Sequence, residues 1–172
     1  MMSATLPILR IPVGIVVERR KMASPWGDFI WRSAAVLPDK PDTKPWTILR
    51  EQGGTTWFYA GSATVDLYVS ETARYRDNVA SGAPSIWVVL SPSGGPWPYA
   101  IAAATADPAE GEGFTEAADN LVEAVPMPEA VREVIESFIA EHHVEREFVK
   151  RERRRANPEA LARGRHEGGK ND

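Results

Sequence analysis

The sequence has no cysteine in 172 residues. That excludes disulfides, thiolate zinc sites, iron–sulfur ligation and cysteine nucleophiles together, and it fits a reducing, cytoplasmic setting. No window approaches the ~18 apolar residues of a membrane helix. The N-terminal apolar stretch is broken by Pro7, Arg10 and Pro12 and lacks a basic segment before a continuous hydrophobic one, so no signal peptide is expected. The motifs of phosphate loops (GxxxxGK[ST]), dinucleotide turns (GxGxxG), nucleophile elbows (GxSxG) and zinc proteases (HExxH) are all missing. A non-enzyme without cofactor or resident metal is the expectation.

What is present begins with Trp46–Ala60, WTILREQGGTTWFYA. Two runs rich in Trp, Thr, Ile, Phe and Tyr flank Gly53-Gly54, the signature of a tight turn that needs positive φ between antiparallel strands. Neither run is polar on one whole side, so cover on both faces is expected. Further strands are read at Ile8–Arg19, with Val13, Ile15 and Val17 on one face, and at Asp28–Leu37. Pro12 should sit at an edge or strand start, where no ladder donor is needed. Another strand is expected at Thr64–Val69. Ile86–Leu90 is a continuous apolar run suited to the sheet centre, and it is joined through Ser91–Pro96 to a partner at Trp97–Thr105.

Ser70 to Val79 reads as a short helix with Ser70 as N-cap. Asp107–Met127 is acidic with few anchors and reads as an extended wrap. Glu129–His143 places Val131, Val134, Ile135, Phe138 and Ile139 at helical spacing behind Pro128. The expected fold is therefore α+β: a mostly antiparallel meander of about six or seven strands. One amphipathic C-terminal helix packs on it, and a basic tail follows. Residues 1–144 form the single domain and 145–172 the charged tail.

The net charge of −4 hides an asymmetry. Residues 1–106 carry 10 basic and 8 acidic side chains, residues 107–147 carry 2 and 12, and residues 148–172 carry 8 and 4. An acidic middle and a basic tail offer two unlike surfaces.

Candidate chemistry is sparse. His142 and His143 are adjacent, so on a helix they point about 100° apart and cannot readily chelate one ion from the same face; a wet helix end suits them better. Glu110, Glu112, Glu116, Asp119 and Glu123 could supply a carboxylate pair or calcium ligands, but no spacing selects two of them. Trp26, Trp46, Trp57 and Trp97 are core or edge cover unless two prove exposed together, which would mark a partner surface. The run from Lys150 to Arg155 invites nucleic acid, but Glu152, the missing aromatics and the acidic total argue against it. Protein docking through Arg146, Phe148, Val149, Lys150, Arg151, Arg153, Arg154 and Arg155 is expected instead, with the arginines pairing to carboxylates.

Several strings occur together: IPVGIVVERRK at Ile11–Lys21, SPWGDFIWRSAAVLP at Ser24–Pro38, Pro45–Gly61, ETARYRDN at Glu71–Asn78, Trp87–Pro92, TADPAEG at Thr105–Gly111 and EHHVEREFVK at Glu141–Lys150. Over roughly residues 11–163 the chain resembles a proteobacterial family known as domain of unknown function 3305. The resemblance implies a role around molybdenum formate dehydrogenases, near whose genes members are encoded, and it implies no catalytic residues. With no cysteine the chain is not itself an electron carrier. A protein-binding assembly or maturation factor is the first expectation, a small non-redox subunit the second, and a nucleic-acid-binding or regulatory module the third.

Residues 146–163 have too little apolar surface to offset an ordering cost of ~1–2 kcal/mol per residue. Truncation after Val144 is expected to leave the thermal midpoint almost unchanged while weakening association with a partner, as checked by calorimetry and a binding assay on one preparation.

Overall fold

Two 13-residue strands, β1 (Leu9–Lys21) and β4 (Thr55–Leu67), run antiparallel from Leu9↔Leu67 to Arg20↔Thr55. This is a computed structural model describing residues 6–143. β2 (Phe29–Leu37) pairs with the other edge of β1, and β3 (Thr47–Gln52) forms the Gly53-Gly54 hairpin with β4. β5 (Ser85–Pro92) pairs antiparallel with β6 (Tyr99–Thr105) and with β7 (Leu121–Pro126). The continuous path is β2-β1-β4-β6-β5-β7, with β3 beside β4.

The sheet is mixed rather than an antiparallel meander, because β4 and β6 run parallel, joined at Val65↔Ala104. Its two end strands approach where Ser33 N–H donates to Glu123 Oε1 at 2.5 Å. The seven strands thus curl into a nearly closed barrel.

Two departures from the sequence expectation have local causes. The strands expected on either side of Gly61 are one strand. Gly61 sits at φ +139° beside a register shift opposite Ile15/Val16, so the chain bends there without stopping. The acidic stretch is not an extended wrap: it contains α2 (Pro108–Gly113), a 3₁₀ turn at Phe114–Glu116, and β7. The Asp107 carboxylate accepts from the N–H groups of Ala109 and Glu110 at 2.9 and 3.4 Å, and Pro108 fills the first turn. α2 then lies so close to β5 that a Cβ on Gly111 would come within 2.5 Å of Trp87.

The short helix α1 spans Thr72–Ala80 after a 3₁₀ turn at Val69–Glu71. Its N-cap is Glu71, without a side-chain capping bond, and not Ser70. Asn78 fixes α1 to the barrel. Its amide donates to the carbonyls of Ser85 and Ala106 at 2.7 and 3.0 Å, and its oxygen accepts from Ser85 N–H at 3.0 Å. Pro12 lies in β1 beyond the end of the β2 pairing, flanked on the ladder by β4 alone.

The main core joins Val13, Ile15 and Val17 of β1, Val65 and Leu67 of β4, and Ile86, Val88 and Leu90 of β5. Residues 129–143 are helical, and Val131, Ile135 and Phe138 are buried in the same core. Val134 is exposed at the margin of that contact. The basic stretch from 145 onward lies outside the described residues.

Phe138 is 4% exposed and meets the ring of Tyr75 edge-on at 6.2 Å. Phe138→Ala is expected to cost ~3–5 kcal/mol in a urea titration; a loss of surface-substitution size would contradict this packing.

Candidate functional site

β2 and β3 each pair on one side only, so the four-stranded half β2-β1-β4-β3 opens at one end. Residues directly opposite on antiparallel strands share a face. Trp31, Arg19, Thr56 and Glu51 therefore form one row across the concave side. Val17, Phe58 and Ile48 form the next.

Arg19 continues the inward register of Val13, Ile15 and Val17. Its guanidinium carbon lies 4.4 Å from the Phe29 ring centre, 5.2 Å from that of Phe58 and 5.7 Å from that of Trp31. Such placements over ring faces are favourable by about 0.5–2 kcal/mol each, more as water is excluded. The Arg19 Nε is buried without a hydrogen-bond partner among the described residues. Beside it opens a cleft of about 510 Å³, lined by Arg19, Lys21, Phe29, Glu51 and the Gly53-Gly54 turn.

Aromatic rings form the inner wall. Trp46 and Trp97 stack at 5.0 Å and 15°, and both pack on Phe58 at 5.7 and 5.1 Å. Trp46 holds φ +67°, a conformation costing a side-chain-bearing residue about 1–2 kcal/mol. Its ring stack and the bond from its N–H to the Tyr59 carbonyl offset that cost. On the convex side of the same strands the cations are committed. Arg20 and Arg32 reach the buried Glu18 carboxylate at 3.3 and 3.7 Å, and Arg50 lies over Trp57 at 5.0 Å.

Around the open end Met22, Phe29, Ile30, Ile48 and Leu49 are all more than a third exposed, and Trp26 is 83% exposed. Of the four tryptophans singled out from sequence, Trp46, Trp57 and Trp97 are half-buried and Trp26 stands free.

The other sequence candidates are scattered. Glu110 and Glu112 lie on α2, Glu116 in the 3₁₀ turn, Asp119 in the following turn, and Glu123 faces Ser33 across the barrel seam. Among the described residues no three His, Asp or Glu side chains converge as metal ligands would. His142 packs on the Phe138 ring at 4.5 Å, and His143 reaches Thr72 Oγ1 and Arg76 at 3.3 and 3.1 Å, tying the helix end to α1. Arg146, Phe148, Val149, Lys150, Arg151, Arg153, Arg154 and Arg155 lie outside the described residues. The residue that sequence reasoning passed over is Arg19, whose signal was a cation placed in register with three apolar inward positions.

A family model described as a protein of unknown function, DUF3305, matches residues 12–153. The chain belongs to this family. No curated protein and no solved structure matches it. In this DUF3305 member the family match spans the whole open end, from β1 through the β3–β4 hairpin.

A second cluster, around α1, is mutually satisfied. Arg74 bridges Asp107 at 3.2 Å and Glu71 at 3.4 Å, and the hydrogen bond to Asp107 foremost raises its pKa. The Tyr75 hydroxyl accepts from Tyr68 N–H at 2.9 Å. Burial nevertheless pushes its phenol well above the usual 10.0. The unfolded chain therefore loses this proton at lower pH than the folded one, so stability falls as pH rises through and beyond that value. Urea midpoints are expected to drop between about pH 8 and about pH 11, and to drop less in Tyr75→Phe.

Proposed function

We propose that this protein is a non-catalytic, protein-binding accessory factor that acts in the cytoplasm and contacts its partner through the open end of the barrel. The observation that carries the reading is the set of exposed apolar side chains at that end, Trp26 foremost. Single exposed apolar residues are ordinary, but several of them on neighbouring strands and turns, among charged side chains, suit an interaction site. Aromatic and arginine side chains dominate binding energy in such places, and this end holds both. The family resemblance drawn from the sequence supplies the expected partner: a molybdenum formate dehydrogenase polypeptide during assembly, rather than the finished enzyme.

The test is recovery of tagged full-length protein from its native host, with identification and metal analysis of what accompanies it. Recovery of an immature molybdoenzyme polypeptide is expected, with at least about a tenfold loss for Phe29→Ser combined with Ile48→Ser. Recovery unaffected by that pair would remove the open end from the interface. Stoichiometric recovery with active, metal-loaded enzyme would favour a permanent subunit.

A further inference from the structure

Arg19 differs from the other cations at the open end. Arg20 and Arg32 share the Glu18 carboxylate, and Arg50 lies over Trp57 on the convex side. Arg19 faces the concave side and makes no ion pair with a described carboxylate; Glu51 lines the same cleft without pairing to it. Its flat faces are occupied by rings, with Phe29 and Phe58 closest at 4.4 and 5.2 Å. A guanidinium donates in its plane and stacks through its faces, so ring contacts leave its donors available. Nε is moreover buried and has no hydrogen-bond partner among the described residues, so the guanidinium is partly desolvated, which strengthens charge-assisted bonds made through its terminal nitrogens.

We propose that the groove takes an extended, acidic segment of a partner protein, with one carboxylate seated on Arg19 and flanking aromatic or aliphatic side chains on the exposed Phe29 and Ile48. This rests on reading the open end as a partner surface and adds the chemistry that the partner must present. Three features favour a peptide carboxylate. The guanidinium fork matches a carboxylate in two parallel hydrogen bonds. Lys21 lines the same cleft and adds positive charge at its mouth. The cleft is walled by the exposed Phe29 ring on the β2 side and by Glu51, Gln52 and the Gly53-Gly54 turn on the β3 side, and β2 and β3 each have a strand neighbour on one side alone. An inorganic anion would use Arg19 and Lys21 but leave the Phe29 ring bare.

The experiment uses the full chain labelled with ¹⁵N and three probes: a capped peptide alternating phenylalanine and glutamate, the same peptide with glutamine for glutamate, and inorganic phosphate. The Arg19 Nε–H and the indole N–H signals of Trp31 and Trp46 are followed. The acidic peptide is expected to move all three signals and to bind at least about tenfold more tightly than its glutamine counterpart, with a similar loss in Arg19→Gln. Arg19→Lys, which keeps charge without the fork, is expected to fall between. If Arg19→Gln fails to fold, as a thermal scan would show, the comparison of the two peptides on the unmodified chain decides alone. Equal binding of both peptides would overturn the carboxylate seat while leaving the partner surface standing. Phosphate moving Arg19 Nε–H as strongly as the acidic peptide would also overturn it, by making this a simple anion site. No response to any probe would overturn it too, whereas the partner surface itself falls only on the Phe29 and Ile48 capture test.

Discussion

The ladder between β1 and β4 is the constraint on which the remaining elements depend. It holds the two longest strands together over nearly their full length. Val13, Ile15, Val17, Val65 and Leu67, all fully buried, lie along it. Burying side chains of this size is worth about 1.5–3 kcal/mol each. β2 and β3 attach on its two sides at one end, and β6 takes over the β4 edge at the other. An isolated hairpin of β3 and β4 would be marginal; beside β1 it becomes one edge of a curved wall.

That wall is shared between two jobs by a single glycine. Up to Tyr59 the free edge of β4 belongs to β3, and at Val65 it belongs to β6. Gly61 lies between, at φ +139°, with Pro45 and Ile101 within 4 Å of where a Cβ would stand. The bend turns the second half of β4 towards β6, so the strand closes the barrel at one end and leaves it open at the other. Closure at the seam relies on a charge-assisted bond from Ser33 N–H to Glu123 rather than on a strand ladder.

The open end is where the fold departs from the usual economy of a core. The row that begins with Val13, Ile15 and Val17 ends in Arg19, and a tryptophan nearby holds a backbone angle that favours glycine. Rings and cation support one another, since Trp46, Trp97, Phe58 and Trp31 form one cluster of stacked and edge-on contacts, in which Trp31 and Phe58 lie next to the guanidinium. Aromatic surface and an arginine at a concave, half-open site are the observations on which the proposed partner contact rests. Polar clusters elsewhere, such as Arg74 with Asp107 and Asn78 with Ser85, are spent on holding α1 and α2 in place.

By itself the sequence determined the local facts. The Gly53-Gly54 turn, the strand character of β1, β2 and β5, and the second hairpin follow from turn chemistry and side-chain period, which depend on neighbours along the chain. Only the tertiary structure decided what depends on neighbours across it. The parallel contact of β4 with β6 rests on where the β5–β6 hairpin docks, which no local pattern encodes. β7 was hidden because its strand character comes from pairing with β5, while its acidic surroundings read as a solvated loop. Gly61 read as a break between strands because the bulge it serves is defined by Ile15 and Val16 on β1. The groove was out of reach for the same reason: Arg19, Phe29, Trp31 and Phe58 come from three strands, and only their register brings one cation among three rings.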